Sequence, residues 1–441
     1  MPLALTAAIV AVTLHAQWSS QTGAQLDARV QALRAAGEPV LPGDFARPGI
    51  DGAAAALKAA LAKMAAEPSE AMGALDDCDV IEPPLTDFEA ELIRDAVGDH
   101  ADTLAAVRAA AGASMERPPV AIGAAISSLN PVRAAAGLVK YAALGRAHAG
   151  ASDAAMRSAD DLPTLARYAA GDESLIGHLV ACGIDAMEVE LRVSIAPKLS
   201  IGAAPPAVAP AAVRAAIDRL LDPTEPRARL MRALRGERSL ILYNLTATEA
   251  QDNPMPVAMG LDDPVSRYVA RPLLNTYAVA CLDVMTEVIR CSAEADAPAF
   301  NKAMDGWLTA AAGRNGDGAL FASIIVPGMR QALETQFRIQ TCREAAATAL
   351  AVRWYATEHD NNLPAKLEDL VPKYLPRLPR DYLATNAPLR YRPGKTPILW
   401  GVGENGRDDN GVEARPHQSV KEQRETNDEV FHLAARPRKG H

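Results

Sequence analysis

Apolar residues recur at spacings of three and four along most of this chain, and this period constrains the fold more than any other feature. Between residues 51 and 327 the pattern appears, for example, in Leu57, Leu61 and Met64, and no strand-like alternation of useful length interrupts it. Side chains at these spacings lie on one face of an α-helix. Clusters of proline, glycine and aspartate separate the helices. The sequence therefore predicts a mostly α protein, either a helical bundle or an irregular helical solenoid.

Composition supports helices and argues against a nucleic-acid partner. Aromatic residues make up only 4% of the 441 residues, and alanine dominates the apolar set. Alanine has the highest helix propensity and is depleted in strands. The net charge of -9 provides no concentrated basic face for phosphate binding. The five cysteines are too scattered for a disulfide framework or a zinc site.

The N-terminal segment, residues 1–18, allows two interpretations. The apolar run from Pro2 to Leu14 is shorter than the roughly 20 residues that span a bilayer, and no lysine or arginine precedes it. It is either a membrane anchor or the end of a packed helix. Trp18 follows the run, where an aromatic side chain suits a membrane interface, and this favours the anchor. An amphipathic helix with Leu26, Val30 and Leu33 on one face comes next.

Proline clusters suggest the domain organisation. A helical region is predicted over residues 19–328, with a proline- and alanine-rich linker at 203–210. A second break is predicted at Val326-Pro327-Gly328. The last part, residues 329–441, is predicted to begin with a long helix from Met329 to Glu358 and to continue as a separate small module.

This C-terminal module has the pattern of a small α+β unit. Pro364 begins a short helix in which Leu367 and Leu370 point inward, and a proline-rich strap follows. Residues 389–392 and 398–402 flank a Pro-Gly turn and predict a hairpin, to which residues 429–433 add a third strand. The module should therefore contain a short antiparallel sheet.

The order of these segments resembles the C-terminal region of the major pseudopilin of type II secretion systems, protein G. The resemblance rests on the long helix, then LPAKLEDLVPKYLPRLPRD, PLRYRPG, ILWGVGENGRDDNG and NDEVFHL, about a quarter of the chain. Two features depart from that family: Asp381-Tyr382 replaces its Asp-Pro pair, and its processed N-terminal methylation signal with the pilus-core helix is absent. The remainder resembles uncharacterised membrane-anchored bacterial proteins.

The resemblance implies a cellular location and a class of protein partner. It places the chain at the bacterial inner membrane, attached through its N-terminal segment, with most of its length outside the cytoplasm. It also implies protein partners in the envelope or the secretion machinery. Without the pilus-core segment, the chain is not expected to polymerise as a pilus subunit.

An acidic loop is the candidate metal site. Residues 403–411 are rich in glycine, aspartate and asparagine, and oxygen-bearing side chains on such a loop can surround a hard cation. The resemblance implies calcium, with Asp408, Asp409, Asn410 and Asp428 as ligands. The alternative is a solvated hairpin loop, because the same residue types dominate turns.

Catalytic motifs were not found in the sequence. It has no GxSxG elbow, phosphate-binding loop, HExxH or dinucleotide-binding fingerprint, and His100, His148 and His178 fall on separate helical patterns. We therefore expect a non-enzymatic scaffold or protein-interaction protein with no catalytic residues. The alternative is a hydrolase-like enzyme whose site assembles from dispersed helix residues.

Overall fold

The structure, a computed structural model, describes residues 2–45, 51–78, 81–115, 122–246, 263–312, 316–413, 419, 422 and 427–434. Helices form most of this part of the chain, which confirms the predicted fold class. In chain order they are α1 (Pro2–Ala35), α2 (Gly52–Ala66), α3 (Glu70–Asp76), α4 (Asp87–Asp99), α5 (Ala101–Ala109), α6 (Ile122–His148), α7 (Ser152–Ala159), α8 (Leu162–Ala169), α9 (Leu175–Ile195), α10 (Pro210–Leu221), α11 (Thr224–Thr246), α12 (Pro264–Cys291), α13 (Ala297–Ala312) and α14 (Gly316–Glu358).

The C-terminal module contains the predicted antiparallel sheet. Its strands are β1 (Arg380–Asp381), β2 (Ala387–Pro388), β3 (Arg390–Arg392), β4 (Ile398–Gly401) and β5 (Glu429–His432). Strands β3, β4 and β5 form the three-stranded sheet in that order, with Leu399 opposite both Tyr391 and Phe431. A separate pair, β1 and β2, was not predicted. The proline-rich strap is irregular, and its Tyr374 and Leu375 are buried.

The buried apolar side chains form two cores. The first core includes residues of α2 to α10, the C-terminal half of α14, and the sheet residues Leu399 and Phe431. The second core includes residues of α1, α11, α12 and α13, the N-terminal half of α14, and Tyr382 of the module. Helix α14 therefore takes part in both cores and connects them.

Two helix ends have capping interactions that follow from their local sequence. Thr86 and Glu89 form a capping box, in which the Thr86 hydroxyl accepts from the Glu89 amide and the Glu89 carboxylate accepts from the Thr86 amide. This exchange satisfies amides that the first turn of a helix leaves without partners. Gly37 adopts a left-handed φ of 75° just after α1, where the Glu38 amide bonds the Leu33 carbonyl at 3.0 Å.

One predicted break is absent. The break at Val326-Pro327-Gly328 is wrong, because Pro327 lies inside α14. A proline in a helix removes one backbone hydrogen bond. Here Val326 and Met329 are buried in the second core, and their packing holds the helix together across the proline. Near the N-terminus, helix α1 runs without interruption through residue 18, so the apolar segment and the amphipathic helix are one element.

Helix α11 approaches the turn before α9 so closely that only glycine fits at position 236. A Cβ atom there would lie 1.8 Å from the carbonyl oxygen of Glu173, which itself has a left-handed φ of 55°. This distance is far inside van der Waals contact, and the obstructing atom belongs to the backbone. Around Gly183 in α9, in contrast, a Cβ atom would meet no other atom within 4 Å.

We predict opposite effects for alanine at these two positions. Gly236→Ala should destabilise the fold by about 2 kcal/mol or more, because the backbone must shift to admit the methyl group. Gly183→Ala should be neutral or stabilise it by up to about 1 kcal/mol, the difference in helix propensity. Urea unfolding followed by circular dichroism measures both changes. Equal stability of the two variants would contradict the close contact between α11 and Glu173.

Candidate functional site

The first half of α1 exposes large apolar side chains. Their exposed fractions range from 47% to 66%, and they are Leu5, Ile9, Val10, Val12, Leu14 and Trp18. No aspartate, glutamate, lysine or arginine occurs between Pro2 and Leu26. Further along, Leu26 is buried in the second core, so the same helix is exposed at its start and packed at its end.

Helix α12 lies parallel to α1 and extends this surface. His15 Nε2 lies 3.1 Å from the Val269 carbonyl oxygen, and the Asn275 amide is 3.4 Å from the Thr22 hydroxyl. About two turns beyond Thr22 on α1, the Arg29 guanidinium donates to the Asp283 carboxylate at 3.2 Å. Residue numbers rise together along both helices, so their N-terminal ends lie at the same end of the molecule.

The start of α12 is exposed and apolar as well. Its exposed large side chains are Val265, Tyr268, Val269 and Leu273, with exposed fractions from 40% to 71%. Tyr268 also contacts the His15 ring, with 4.7 Å between centroids. We call the exposed apolar side chains of residues 5–18 and 265–273 the apolar end. Isolated exposed apolar residues are ordinary, but a contiguous group of this kind marks an interaction surface.

By length and composition, one helix in the described part of the chain could cross a membrane. It is α12, with a mean hydropathy of 1.2 over its most apolar window, half of which is buried. A buried helix in the core of a soluble protein can meet the same criterion, so the criterion alone gives weak support for a span. This candidate membrane-spanning helix is not the segment 1–18, for which the sequence favoured a membrane anchor. The spacing of Val265, Val269 and Leu273 is a sequence signal for an apolar face on α12, but it does not show that this face is exposed.

The four predicted calcium ligands lie together at the acidic loop, where their oxygens accept hydrogen bonds. The Asp408 carboxylate accepts from the Trp400 indole at 3.0 Å and forms an ion pair with Arg390 at 2.7 Å. The Asp428 carboxylate accepts from the amides of Asp409 at 3.1 Å and Gly411 at 2.6 Å. Asp428 thus ties the loop to the start of β5.

These contacts explain the electrostatics of the loop. Partial burial acts to raise the pKa of Asp408, but the hydrogen bonds from Trp400 and the Asn410 amide, together with Arg390, lower it below its usual value. No group of three or more histidine, cysteine, aspartate or glutamate side chains placed to hold a metal occurs within the described ranges. Calcium binding stays a prediction, and any ion would compete with Arg390 for Asp408.

Asp381 has a structural role that the sequence did not indicate. Its carboxylate is fully buried and accepts from the Val402 amide at 2.9 Å and the Leu383 amide at 3.0 Å. Arg390 lies 3.6 Å away, between Asp381 and Asp408. Burial raises the pKa of Asp381. This residue connects the strap to the end of β4.

A buried cysteine and histidine adjoin each other between α9 and α14. Cys182 Sγ lies 3.5 Å from His178 Nε2 and 3.6 Å from the Gln336 side-chain oxygen. A nucleophilic thiol needs a lowered pKa and access to substrate. Burial instead raises the pKa of Cys182 to about 12 and lowers that of His178 to about 3. This pair is suited to packing, because the thiol stays protonated and the imidazole stays neutral.

A buried ion cluster joins α9 to α10 and to the residues after α7. Arg192 is fully buried and bonds Glu188 at 2.8 Å and Asp160 at 2.7 Å. Arg219 reaches the same two carboxylates, at 3.1 Å and 2.8 Å. Burial acts to raise the pKa of Glu188, but the charges of Arg192 and Arg219 outweigh it and lower the pKa. The cluster fixes how these helices meet.

Comparison of the chain with protein-family models, with curated proteins and with solved structures finds no significant match.

We predict that the Glu188 cluster contributes pH-dependent stability. Glu188→Gln should cost about 3 kcal/mol near neutral pH, because the buried guanidinium of Arg192 loses its buried carboxylate partner and keeps only the ion pair with Asp160. A carboxylate whose pKa is lowered on folding stabilises the protein above its unfolded pKa, near 4.5, and this contribution is lost as the pH falls through the folded value. The difference in unfolding free energy from wild type should therefore be constant above about pH 5 and shrink below it.

Glu190→Gln is the matched control. Glu190 lies on the same helix, but its side chain is 54% exposed and bonds Lys140 at the surface. Such pairs contribute at most about 1 kcal/mol. Equal losses in the two variants across the pH series would contradict a special role for the buried cluster.

The calcium prediction is tested by thermal unfolding of the full chain in calcium and in chelator. A bound ion at a hundred times its dissociation constant adds about 2.7 kcal/mol of stability, so calcium should raise the unfolding midpoint. Asp408→Asn should reduce that rise by removing one anionic ligand. An unchanged midpoint in calcium would favour the hydrogen-bonded loop without an ion.

Proposed function

We propose that this protein is a non-enzymatic, membrane-associated scaffold of the bacterial envelope, which holds its C-terminal module for protein partners. The inner membrane is the proposed site, with most of the chain outside the cytoplasm. The apolar end is the membrane-contacting surface, and the two cores form the body.

The observation that carries this proposal is the exposed apolar end. Ten of the fourteen exposed large hydrophobic side chains of the described residues belong to it. Burying one such side chain in a lipid phase contributes about 1.5–3 kcal/mol. Trp18 lies at the end of the exposed apolar side chains of α1 nearest to its packed part, where an aromatic side chain would meet the headgroup region.

The attachment of the module to the body supports its role as a display unit. Glu344 of α14 forms two bonds with Arg377, at 2.8 Å and 2.6 Å, and accepts from the Arg380 amide at 3.0 Å. The Thr341 hydroxyl accepts from the Tyr382 amide at 2.9 Å. These contacts hold the module in a fixed orientation on the body. The resemblance to the major pseudopilin supports partners in the secretion machinery.

Vesicle flotation of the purified full chain tests the membrane contact. We expect binding to phosphatidylcholine vesicles, and at least about a hundredfold weaker binding for the triple variant Ile9→Ser, Val12→Ser, Leu14→Ser, because three apolar side chains no longer enter the lipid. Phe88→Ser is the control: Phe88 is 63% exposed but belongs to α4, which packs on α3 and α6. Equal loss in both variants, or no binding by wild type, would contradict the proposed surface.

Cell fractionation tests the orientation. A copy with a C-terminal tag should stay with the membrane, and protease added to spheroplasts should digest the tag. A tag protected until the cells are lysed would place the module in the cytoplasm and remove the envelope partners from the proposal.

A further inference from the structure

A groove opens between α1, α12 and the C-terminal end of α11, beside the apolar end. Its volume is about 1020 Å³, and its walls include Ser19, Ser20, Asn244, Asn275 and Arg271. A cavity of this size is in the range that holds small-molecule ligands. Its lining mixes short polar side chains with the two arginines Arg267 and Arg271 and with Asp27, unlike the adjacent apolar end.

The parallel register places the groove at the boundary between the apolar and the polar parts of α1. His15 lies opposite Val269 and Arg29 opposite Asp283, an offset of 254 residues in both cases. Arg271 is therefore level with Gln17, three residues after the apolar run ends at Leu14 and next to Trp18, the last exposed apolar side chain of α1 in the apolar end. From Leu5 to Leu14 the helix rises about 13 Å, which is close to the thickness of one hydrocarbon leaflet.

The charges around this boundary favour an anion. Arg271 is exposed and has no ion-pair partner among the described residues. Arg267, one turn earlier on the same helix, also lines the groove. Among the residues that the structure describes, two acidic side chains are near. Asp263 accepts from the Val265 and Ser266 amides at the start of α12, and Asp27 lines the groove about 15 Å along α1 from Gln17.

We infer that this groove binds the phosphate of an anionic phospholipid headgroup, with Arg271 as its cationic contact. The inference rests on the proposed membrane contact and specifies its lipid. The acyl chains of the same lipid would lie along the exposed side chains of residues 5–14. A soluble phosphate compound could meet the arginine but would leave the adjacent apolar surface in water. The continuity of groove and apolar surface is the reason for choosing a lipid.

The experiment compares two vesicle compositions with the full chain. One is phosphatidylcholine alone, and in the other part of it is replaced by phosphatidylglycerol. Wild type should bind the anionic vesicles more tightly, and Arg271→Gln should weaken this binding about fivefold, the effect of one basic residue near an anionic surface. Binding to phosphatidylcholine alone should be unchanged. Arg271→Lys, which keeps the charge, should stay within about twofold of wild type.

Arg133→Gln is the control for net charge. Arg133 is exposed on α6, which belongs to the first core, away from the groove. This variant should bind both compositions as wild type does. Equal unfolding midpoints for all variants would show that each one folds.

The outcomes separate the two proposals. If Arg271→Gln and Arg133→Gln behave alike on anionic vesicles, the headgroup site is wrong, while binding to phosphatidylcholine still supports the membrane contact. If wild type binds neither composition, both are wrong. A third arm adds inorganic phosphate without vesicles. A rise in the unfolding midpoint that Arg271→Gln abolishes would identify a site for a soluble anion and overturn the assignment to lipid.

Discussion

The structure depends on helix α14, because the two hydrophobic cores share it. Its C-terminal half supplies Cys342, Leu350 and a run of small alanines to the first core, and its N-terminal half supplies Leu333 and Phe337 to the second. Between them, Arg343 donates to the carbonyls of Arg219 and Leu220 at the end of α10. A helix end leaves such carbonyls without intrahelical partners. Where the two cores meet, hydrogen bonds thus also connect α14 to the end of α10.

Small side chains allow the close packing around this part of α14. Ala345, Ala346 and Ala347 are fully buried on successive positions of α14, so the helix is covered on more than one side there. A helix that is apolar all round belongs in a protein interior. Alanine lets neighbouring helices approach closely and adds no side-chain entropy cost. The low aromatic content of the chain is consistent with a core built from close helix contacts instead of large rings.

Local features of the fold could be predicted from the sequence, and long-range ones could not. The capping box at Thr86, the left-handed Gly37 and the hairpin around residues 393–397 each depend on a few adjacent residues, whose chemistry is visible in the sequence. Pro327 misled the prediction because the packing of its neighbours outweighs its helix-breaking tendency. The burial of Asp381 could not be predicted from the sequence, because its carboxylate accepts from the amides of Leu383 and Val402, and Val402 lies 21 residues away.

The same division between predictable local features and unpredictable long-range contacts applies to the candidate site. The apolar run at the start of α1 was visible in the composition, although the sequence left open whether it is a membrane anchor or the end of a packed helix. The pairing of α1 with α12 could not be predicted, because no local pattern indicates that His15 contacts Val269, which lies 254 residues later. Likewise, the acidic loop was recognisable, but the ion pair of Asp408 with Arg390 depends on the register of the hairpin.

The pairing of α1 with α12 also has a consequence for the order of events during synthesis. A ribosome adds about 5–20 residues per second, so the first helix emerges roughly 10 to 50 s before the helix it packs against. Throughout that interval, Leu26, Val30 and Leu33 lack the partner that covers them in the finished protein. The nascent chain therefore presents a longer apolar segment than the mature fold does. Capture by a membrane or a chaperone has its best opportunity before residue 291 has been made, and completion of the second core then shortens the exposed segment to its final extent.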